Sequence, residues 1–245
     1  MVTCNVSRFD QVPEAGKQPT RRGRSSAHTR IHRTRLPLTT WEQAVELILS
    51  HPESSACSLQ RALGLGSYRT AWRMARIVRE ALQAVEWPLL TAEIELCDVN
   101  LALRKRAPKS IWLAIERQPS ASGLIRGWRC GRSLVEDFRR IATAFDPNAT
   151  VITPPSGLFR ELKNLGFRQR SEPLGTADAL PAAAATAGAF RRMLQVRRHH
   201  GLATATIETY LGEFVFRHNA AILGWSPAKR RRRVMTLLRS PRVSA

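Results

Sequence analysis

The sequence predicts an α+β fold: a three-helix unit near the N-terminus, then a mixed α/β domain, then further helices. Residues 36–88 repeat apolar side chains every three or four positions, which is the spacing of helices that bury one face. Residues 89–171 alternate short β-rich runs with helical runs, and helical spacing returns from residue 179. A hydrophobic fraction of 43% in 245 residues is enough for one sizeable core or two modest ones.

Residues 1–35 are predicted to form a basic flexible arm, because prolines and the run RRGR interrupt a stretch with few apolar residues. The segment TTWEQAVELIL then predicts the first helix. One of the two threonines, Thr39 or Thr40, is its expected N-cap, and Glu42 or Gln43 would complete a capping box.

Residues 58–82, SLQRALGLGSYRTAWRMARIVREAL, indicate two helices joined by a glycine turn, which is the pattern of a helix-turn-helix. Trp87-Pro88 closes the second helix, so residues 36–88 are predicted to be a helix-turn-helix DNA-binding domain. The apolar stripe that should pack inward consists of Ala71, Trp72, Ala75, Val78 and Leu82.

The start of a recognition helix is the part that usually contacts base edges in the major groove. The candidate DNA-binding residues of this helix are therefore Ser67, Tyr68, Arg69, Thr70, Arg73 and Arg76. The alternative is a buried helical hairpin whose arginines face water.

The whole-chain charge favours DNA. The net charge is +20, the pI is near 11.5, and 34 of the 39 basic residues are arginine, which suits bidentate contacts to phosphate and guanine. A GC-rich coding bias would also raise the arginine and alanine content. No long apolar segment or signal-peptide core is present, so duplex DNA is the expected partner instead of a membrane. The expected location is the cytoplasm, in association with the nucleoid.

Metal ligands are sparse in this sequence. The four cysteines are Cys4, Cys57, Cys97 and Cys130; they are widely separated and form no C-x-x-C pair. The adjacent His199 and His200 would point about 100° apart in a helix. We therefore expect reduced thiols, no metal site and no cofactor.

The segments AEIELCDV, SIWLAIERQ and GLIRGWRC predict a three-strand meander. A helix (SLVEDFRRIATAF), a strand (TVIT), a helix (GLFRELKNLG) and an extended piece (FRQRSEP) follow. This is the element order of a ribonuclease-H-like core. We assign residues 89–224 to this domain, and the range includes the helices after Ala179.

Residues 225–245 are predicted to be a basic C-terminal helix or tail that begins at a serine-proline pair. Its run of four arginines is expected to contact phosphates independently of base sequence. These residues are Arg230, Arg231, Arg232 and Arg233.

Several of these motifs together resemble bacterial insertion-sequence DDE transposases of the zinc-ribbon and helix-turn-helix type. HTRIHRTRLPLTTWEQAVELIL, followed by LQRALGLGSYRTAWRMARIVREAL, is similar to the helical DNA-binding part of that family. IERQ, TVITPPSGLFRELKNLGF, HHGL and YLGEFVFRHN follow in the matching order, so the likeness covers residues 28–224. The resemblance implies a ribonuclease-H-like domain in which three carboxylates hold two divalent metals for strand transfer.

The sequence departs from that family at its metal sites. Only Cys4 precedes the helical unit, so the zinc ribbon is missing. The first catalytic acid falls on Glu95, but the second falls on Pro154 and the third near Ala184, neither of which has a ligand atom in its side chain. Glu95 is thus a remnant. The resemblance implies a transposase-derived DNA-binding protein that has lost catalysis.

Two rival functions remain open. The first is an active transposase that carries out DNA transposition with magnesium, using relocated acids among Asp98, Asp146, Glu161, Asp178 and Glu208. The second is a basic protein that binds RNA or DNA non-specifically. Glu208 and Glu213 also have a simpler interpretation as helix-surface acids, with Glu213 paired to Arg217. The oligomeric state stays open, a homodimer included.

Overall fold

The computed structural model describes residues 29–31, 34–101, 109–118, 122–174, 180–196 and 204–240. The predictions for Cys4, Asp178, His199 and His200, and for nearly all of the arm, lie outside these residues. Eight α-helices are described: α1 (Leu38–Ser50), α2 (Ala56–Ala62), α3 (Tyr68–Gln83), α4 (Leu134–Ala142), α5 (Arg160–Asn164), α6 (Pro181–Val196), α7 (Thr204–Ile222) and α8 (Pro227–Arg239). A short 3-10 helix (Gly157–Phe159) precedes α5. The described strands are β1 (Glu93–Leu101), β2 (Lys109–Arg117), β3 (Ser122–Arg129), β4 (Thr150–Thr153) and β5 (Arg168–Ser171).

The strands form one five-stranded mixed sheet in the order β3-β2-β1-β4-β5. The meander β1-β2-β3 is antiparallel, whereas β4 runs parallel to both β1 and β5. All five strands lie where the residue pattern predicts them, and the mixed α and β content is confirmed. The central strand β1 is buried on both faces: Ile94 and Leu96 face the core under α4 and α5, and Cys97 and Val99 face the core under α6 and α7.

A separate core forms between the N-terminal helices and α8. Val234, Met235 and Leu238 of α8 are buried against α1 and α3, and Phe216 of α7 joins the same cluster. The predicted serine-proline start of α8 is confirmed, because Ser226 accepts the N–H of Lys229 at 3.3 Å and Pro227 is the first helical residue. The basic C-terminal segment is therefore also a packing element of the helical core.

The N-cap prediction for α1 is wrong. The helix begins at Leu38, after Pro37, and no side chain caps it. Pro37 has φ near −57°, so the chain enters the helix there and both threonines lie inside the first turn. The capping box instead belongs to α2, where Ser55 and Ser58 exchange side-chain to backbone hydrogen bonds at 2.8 and 3.1 Å.

The interpretation of Glu213 as a surface acid is also wrong, although its predicted pair with Arg217 is present at 2.9 Å. The Glu213 side chain is completely buried, and Arg79 Nε of α3 donates to its second carboxylate oxygen at 2.8 Å. Arg217 also donates to the carbonyls of Ile48 and Leu49 in the last turn of α1. One buried acid thus links α7 to α3 and, through Arg217, to the exposed carbonyl end of α1.

No helix in the described part of the chain combines the length and the apolar character that crossing a bilayer requires.

Candidate nucleic-acid interface and sheet carboxylates

The turn between α2 and α3 leaves the start of α3 open to solvent. Gly64 has φ +60°, a left-handed conformation that glycine adopts without strain, and Leu65 is buried behind it. Ser67 is extended and precedes α3, but its side chain makes no capping hydrogen bond. The first amides of α3 are consequently available to an acceptor from outside the helix.

Most of the predicted DNA-binding residues of α3 are exposed. Ser67, Tyr68, Arg69, Arg73 and Arg76 are exposed and Thr70 is half-buried. Within the described residues, Arg69 and Arg73 form no ion pair, whereas Arg76 Nε binds Glu80 Oε1 at 2.7 Å. The two unpaired arginines are four residues apart, so they project from the same side of α3.

The inward packing predicted for Trp72 is wrong, because its side chain is 49% exposed. Met74 and Ile77 occupy the core in its place, and Ala71 and Ala75 let α3 approach its neighbours closely. Trp72 lies on the exposed side between Tyr68 and Arg76, and the Arg76 guanidinium sits 5.8 Å from the centre of its ring. The exposed face therefore alternates aromatic and basic side chains.

A groove separates α3 from residues 30, 31 and 34–36, and we call it the arginine groove. Its polar lining consists of Arg30, Thr34, Arg35, Trp41, Thr70 and Arg73. Within the described residues, none of these three arginines pairs with a carboxylate, and no acid lines the groove.

The four predicted arginines of α8 differ in their surroundings. Arg230 Nε donates to the Trp225 carbonyl at 2.9 Å, and Arg231 pairs with Glu46 of α1 at 3.4 Å. Arg232 and Arg233 are exposed and have no ion pair within the described residues. Arg231 thus links α8 to α1, whereas the hydrogen bond of Arg230 stays within the connection from α7 to α8.

Glu95, the predicted catalytic remnant, is only 1% exposed and both of its carboxylate oxygens accept hydrogen bonds. Arg117 Nε donates to Oε1 at 3.0 Å, and the backbone N–H of Ala183 donates to Oε2 at 3.0 Å. Ala183 is in the first turn of α6, where free N–H groups favour an anion. Glu95 thereby caps α6.

The three positions matched to catalytic acids lie in adjacent elements. Glu95 pairs across the sheet with Ile152, two residues before Pro154. It also contacts Ala183, one residue before Ala184. β1, the end of β4 and the start of α6 therefore meet around the Glu95 side chain.

A charged cluster beside Glu95 was not expected from the sequence. Arg117 pairs with Glu172 at 2.8 Å, and Arg170 pairs with Glu93 at 2.7 Å and with Glu172 at 2.9 Å. The hydrogen bond from Arg117 lowers the pKa of Glu172, and the hydrogen bond from Arg170 lowers the pKa of Glu93. The E-x-E pattern of β1 was the available signal, because alternate residues of a strand share a face.

The four replacement acids that the structure describes are not part of this cluster. Asp98 is exposed and lies on the opposite face of β1 from Glu95, and Glu208 pairs with Arg129 at 2.8 Å. Asp146 accepts the N–H of Asn148 in a turn, and Glu161 lies in α5. Among the described residues, no group of three histidines, cysteines or acids is arranged to hold a metal ion.

No protein-family model matches the chain, and no curated protein matches its sequence. One similar solved structure is a cryo-EM structure of a simian T-cell lymphotropic virus intasome in complex with the PP2A regulatory subunit B56 gamma. The match has a TM-score of 0.36 and 11% sequence identity, and covers 68% of this chain and 64% of that chain. The chain thus spans less than two thirds of the length of this distant structural neighbour.

Proposed function

We propose that this protein binds duplex DNA through the exposed face of α3 and descends from an insertion-sequence transposase whose catalytic site is lost. The observation that carries the proposal is the pair Arg69 and Arg73, which lack acidic partners within the described residues and lie near the open start of α3. Guanidinium groups at the start of an exposed helix suit base edges and flanking phosphates.

The rest of the helical core supports this role by fixing α3. Its other side is buried against α1, α2 and α8, and Arg79 binds the buried Glu213 of α7. A helix held on one side loses little conformational freedom when the other side binds. In this proposal α2, the glycine turn and α3 constitute a helix-turn-helix, with α3 as the recognition helix.

The sheet supports the proposed ancestry. Its strand order, with three antiparallel strands followed by two parallel ones, is the arrangement expected of a ribonuclease-H-like core. The resemblance of the sequence motifs to insertion-sequence transposases points in the same direction.

Glu95 supports the proposed loss of catalysis. A divalent metal requires several oxygen ligands. Both oxygens of the Glu95 carboxylate already accept hydrogen bonds, one from the Arg117 guanidinium and one from the Ala183 backbone N–H. Arg117 therefore occupies the electrostatic role that a metal ion would take beside Glu95. Pro154 and Ala184 supply no side-chain ligand.

The test uses the full chain and a duplex site selected from a random pool. Arg69→Ala should weaken binding to the selected site by about 1–3 kcal/mol, and weaken random duplex much less, if a guanine contact is lost. Arg192→Ala removes an exposed arginine on α6 and serves as the matched control. If Arg69→Ala and Arg73→Ala bind the selected duplex and the random duplex with the same affinities as the parent, then α3 does not read base sequence.

Two further measurements address the rival functions. Strand transfer or nicking with magnesium or manganese, lost in Glu95→Ala, would establish an active transposase. Equal affinity for structured RNA and duplex DNA would instead favour a non-specific nucleic-acid-binding protein.

A further inference from the structure

The polar lining residues of the arginine groove can all donate hydrogen bonds, and the apolar part of its lining consists of Ile31, Leu36, Met74 and Ile77. Arg30 and Arg35 lie on one side of the groove and Arg73 of α3 on the other. An arginine side chain donates but cannot accept, so three of them with no acid in the lining leave the groove strongly electropositive. Such a lining is complementary to an oxyanion.

Trp41 adds an independent observation. Its side chain is 3% exposed and lines the groove, yet its indole Nε1 has no hydrogen-bond partner among the described residues. Buried donors in folded proteins are nearly always satisfied, so a buried unpaired N–H calls for an acceptor. The Nε1 atom itself has almost no solvent-accessible surface, so an oxygen atom of an anion bound in the groove reaches it only when the surrounding side chains move aside.

The two threonines supply hydroxyl groups to the same space. Thr34 Oγ1 accepts the N–H of Leu36 at 3.1 Å, which leaves its own hydroxyl hydrogen free to donate outward. Thr70 lies in the first turn of α3, one turn before Arg73. Guanidinium, hydroxyl and indole donors together suit the several oxygens of a tetrahedral phosphate.

We propose that the arginine groove binds one phosphate group, and that this phosphate belongs to the backbone of duplex DNA. The inference rests on the proposed function and adds to it a fixed phosphate position. Arg73 belongs both to the groove and to the exposed face of α3. A strand that presents bases to Arg69 therefore brings its backbone to the groove, and phosphate contacts of this kind set the register of a reading helix.

The first experiment measures thermal unfolding of the full chain in sodium phosphate and in sodium chloride at equal ionic strength. Phosphate should raise the melting temperature of the parent. Trp41→Phe and Arg35→Gln should reduce that increase by at least half, whereas Arg192→Gln, on α6, should keep it. In chloride, Trp41→Phe should melt below the parent, because the smaller ring leaves a cavity in the core, so the phosphate effect is taken as the difference between the two salts for each variant.

The second experiment measures the salt dependence of binding to a short duplex of random sequence. Arg35→Gln should flatten the slope of log affinity against log salt by about 0.9, the value for one phosphate contact. Trp41→Phe should weaken binding about threefold to tenfold and leave the slope unchanged, because the lost donor is uncharged.

Three outcomes would overturn the inference. The first is an equal phosphate effect in the parent and both groove variants. The second is a phosphate effect that the groove variants abolish while duplex binding stays unchanged, which would assign the groove to free phosphate. The third is that Arg69→Ala loses base preference while Arg35→Gln leaves the slope of log affinity against log salt unchanged. This result would leave the proposed function intact and refute only phosphate binding in the groove.

Discussion

Arginine has two different roles on two sides of α3. On the buried side, Arg79 and the nearby Arg217 of α7 share the buried carboxylate of Glu213. On the exposed side, Arg69 and Arg73 have no acidic partner within the described residues. The first pair stabilises the protein and cannot take part in binding, whereas the second pair is free to meet a ligand. Net charge alone therefore does not show which arginines can contact a ligand, because it counts paired and unpaired arginines alike.

Removal of the buried acid should give the largest effect. Glu213→Ala leaves Arg79 and Arg217 without their carboxylate, and the free energy of unfolding should fall by about 3–5 kcal/mol. Glu42→Ala is the control: Glu42 pairs with Arg239 at 3.2 Å on the surface, and its loss should cost about 1 kcal/mol or less. Urea denaturation of both variants provides the comparison. Equal losses of unfolding free energy in the two variants would mean that burial does not make the ion pairs of Glu213 stronger than the surface pair of Glu42.

The tryptophans Trp112 of β2 and Trp72 of α3 also differ in their burial. Trp112 is 1% exposed and its indole N–H donates to Asp137 at 2.9 Å, so Trp112→Ala should cost about 3–5 kcal/mol. Trp72→Ala should cost about 1 kcal/mol or less, because half of the ring already contacts water. The same variant should bind duplex DNA more weakly than the parent. A large loss of stability in Trp72→Ala would place this ring in the core, contrary to the structure.

Glu93 and Glu172, the carboxylates of the charged cluster beside Glu95, are partly exposed and should make the stability of the protein depend on pH. The folded pKa of Glu93 lies below its ordinary value of 4.5, mainly because Arg170 donates a hydrogen bond to it. A lowered folded pKa contributes stability above the unfolded pKa, and the contribution disappears as the pH falls through the folded pKa. Arg170→Gln should therefore be less stable than the parent near neutral pH and equally stable in strong acid. A difference that persists in acid would indicate lost packing instead.

The smallest expected effect is a change in the salt dependence of duplex binding when different arginines of α8 are replaced. Arg232 and Arg233 have no ion pair within the described residues, so the double change to Gln should flatten the salt slope of random-duplex binding by up to about two units. Arg230→Gln should change the slope less, because this guanidinium already donates to the Trp225 carbonyl. Deletion of the whole helix is not an equivalent test, since it also removes Val234, Met235 and Leu238 from the core.

Periodicity predicted most of the helices and strands, because those elements bury faces that repeat at helical or strand spacing. β5 is different, since none of its four residues is buried, and the sequence indicated only an extended segment there. Periodicity could not decide which edge of the α3 stripe is covered. Trp72 lies at that edge, and the packing of α3 against α7 and α8 leaves it exposed. Sequence spacing also paired Glu213 with Arg217 but could not supply Arg79, which is 134 residues away in the chain.

The Glu95 neighbourhood shows a similar limit. Matching of family motifs found Glu95, Pro154 and Ala184, but matching compares positions and not hydrogen bonds. The role of Arg117 depends on the register of β2 against β1, which places Glu95 opposite Ile115 and brings the end of β2 near the acid. That register is a tertiary property and becomes visible only in the folded sheet.

The position of α8 has a consequence for synthesis of the protein. The helical core needs residues 227–239 against α1 and α3, and the entire sheet lies between these segments in the chain. While the ribosome is still translating the sheet, α3 has emerged but its apolar side lacks part of its covering. Full docking of α3 must wait until α8 leaves the exit tunnel. A nascent chain that terminates early would therefore present the arginines of α3 on an incompletely packed helix, which is open to proteolysis.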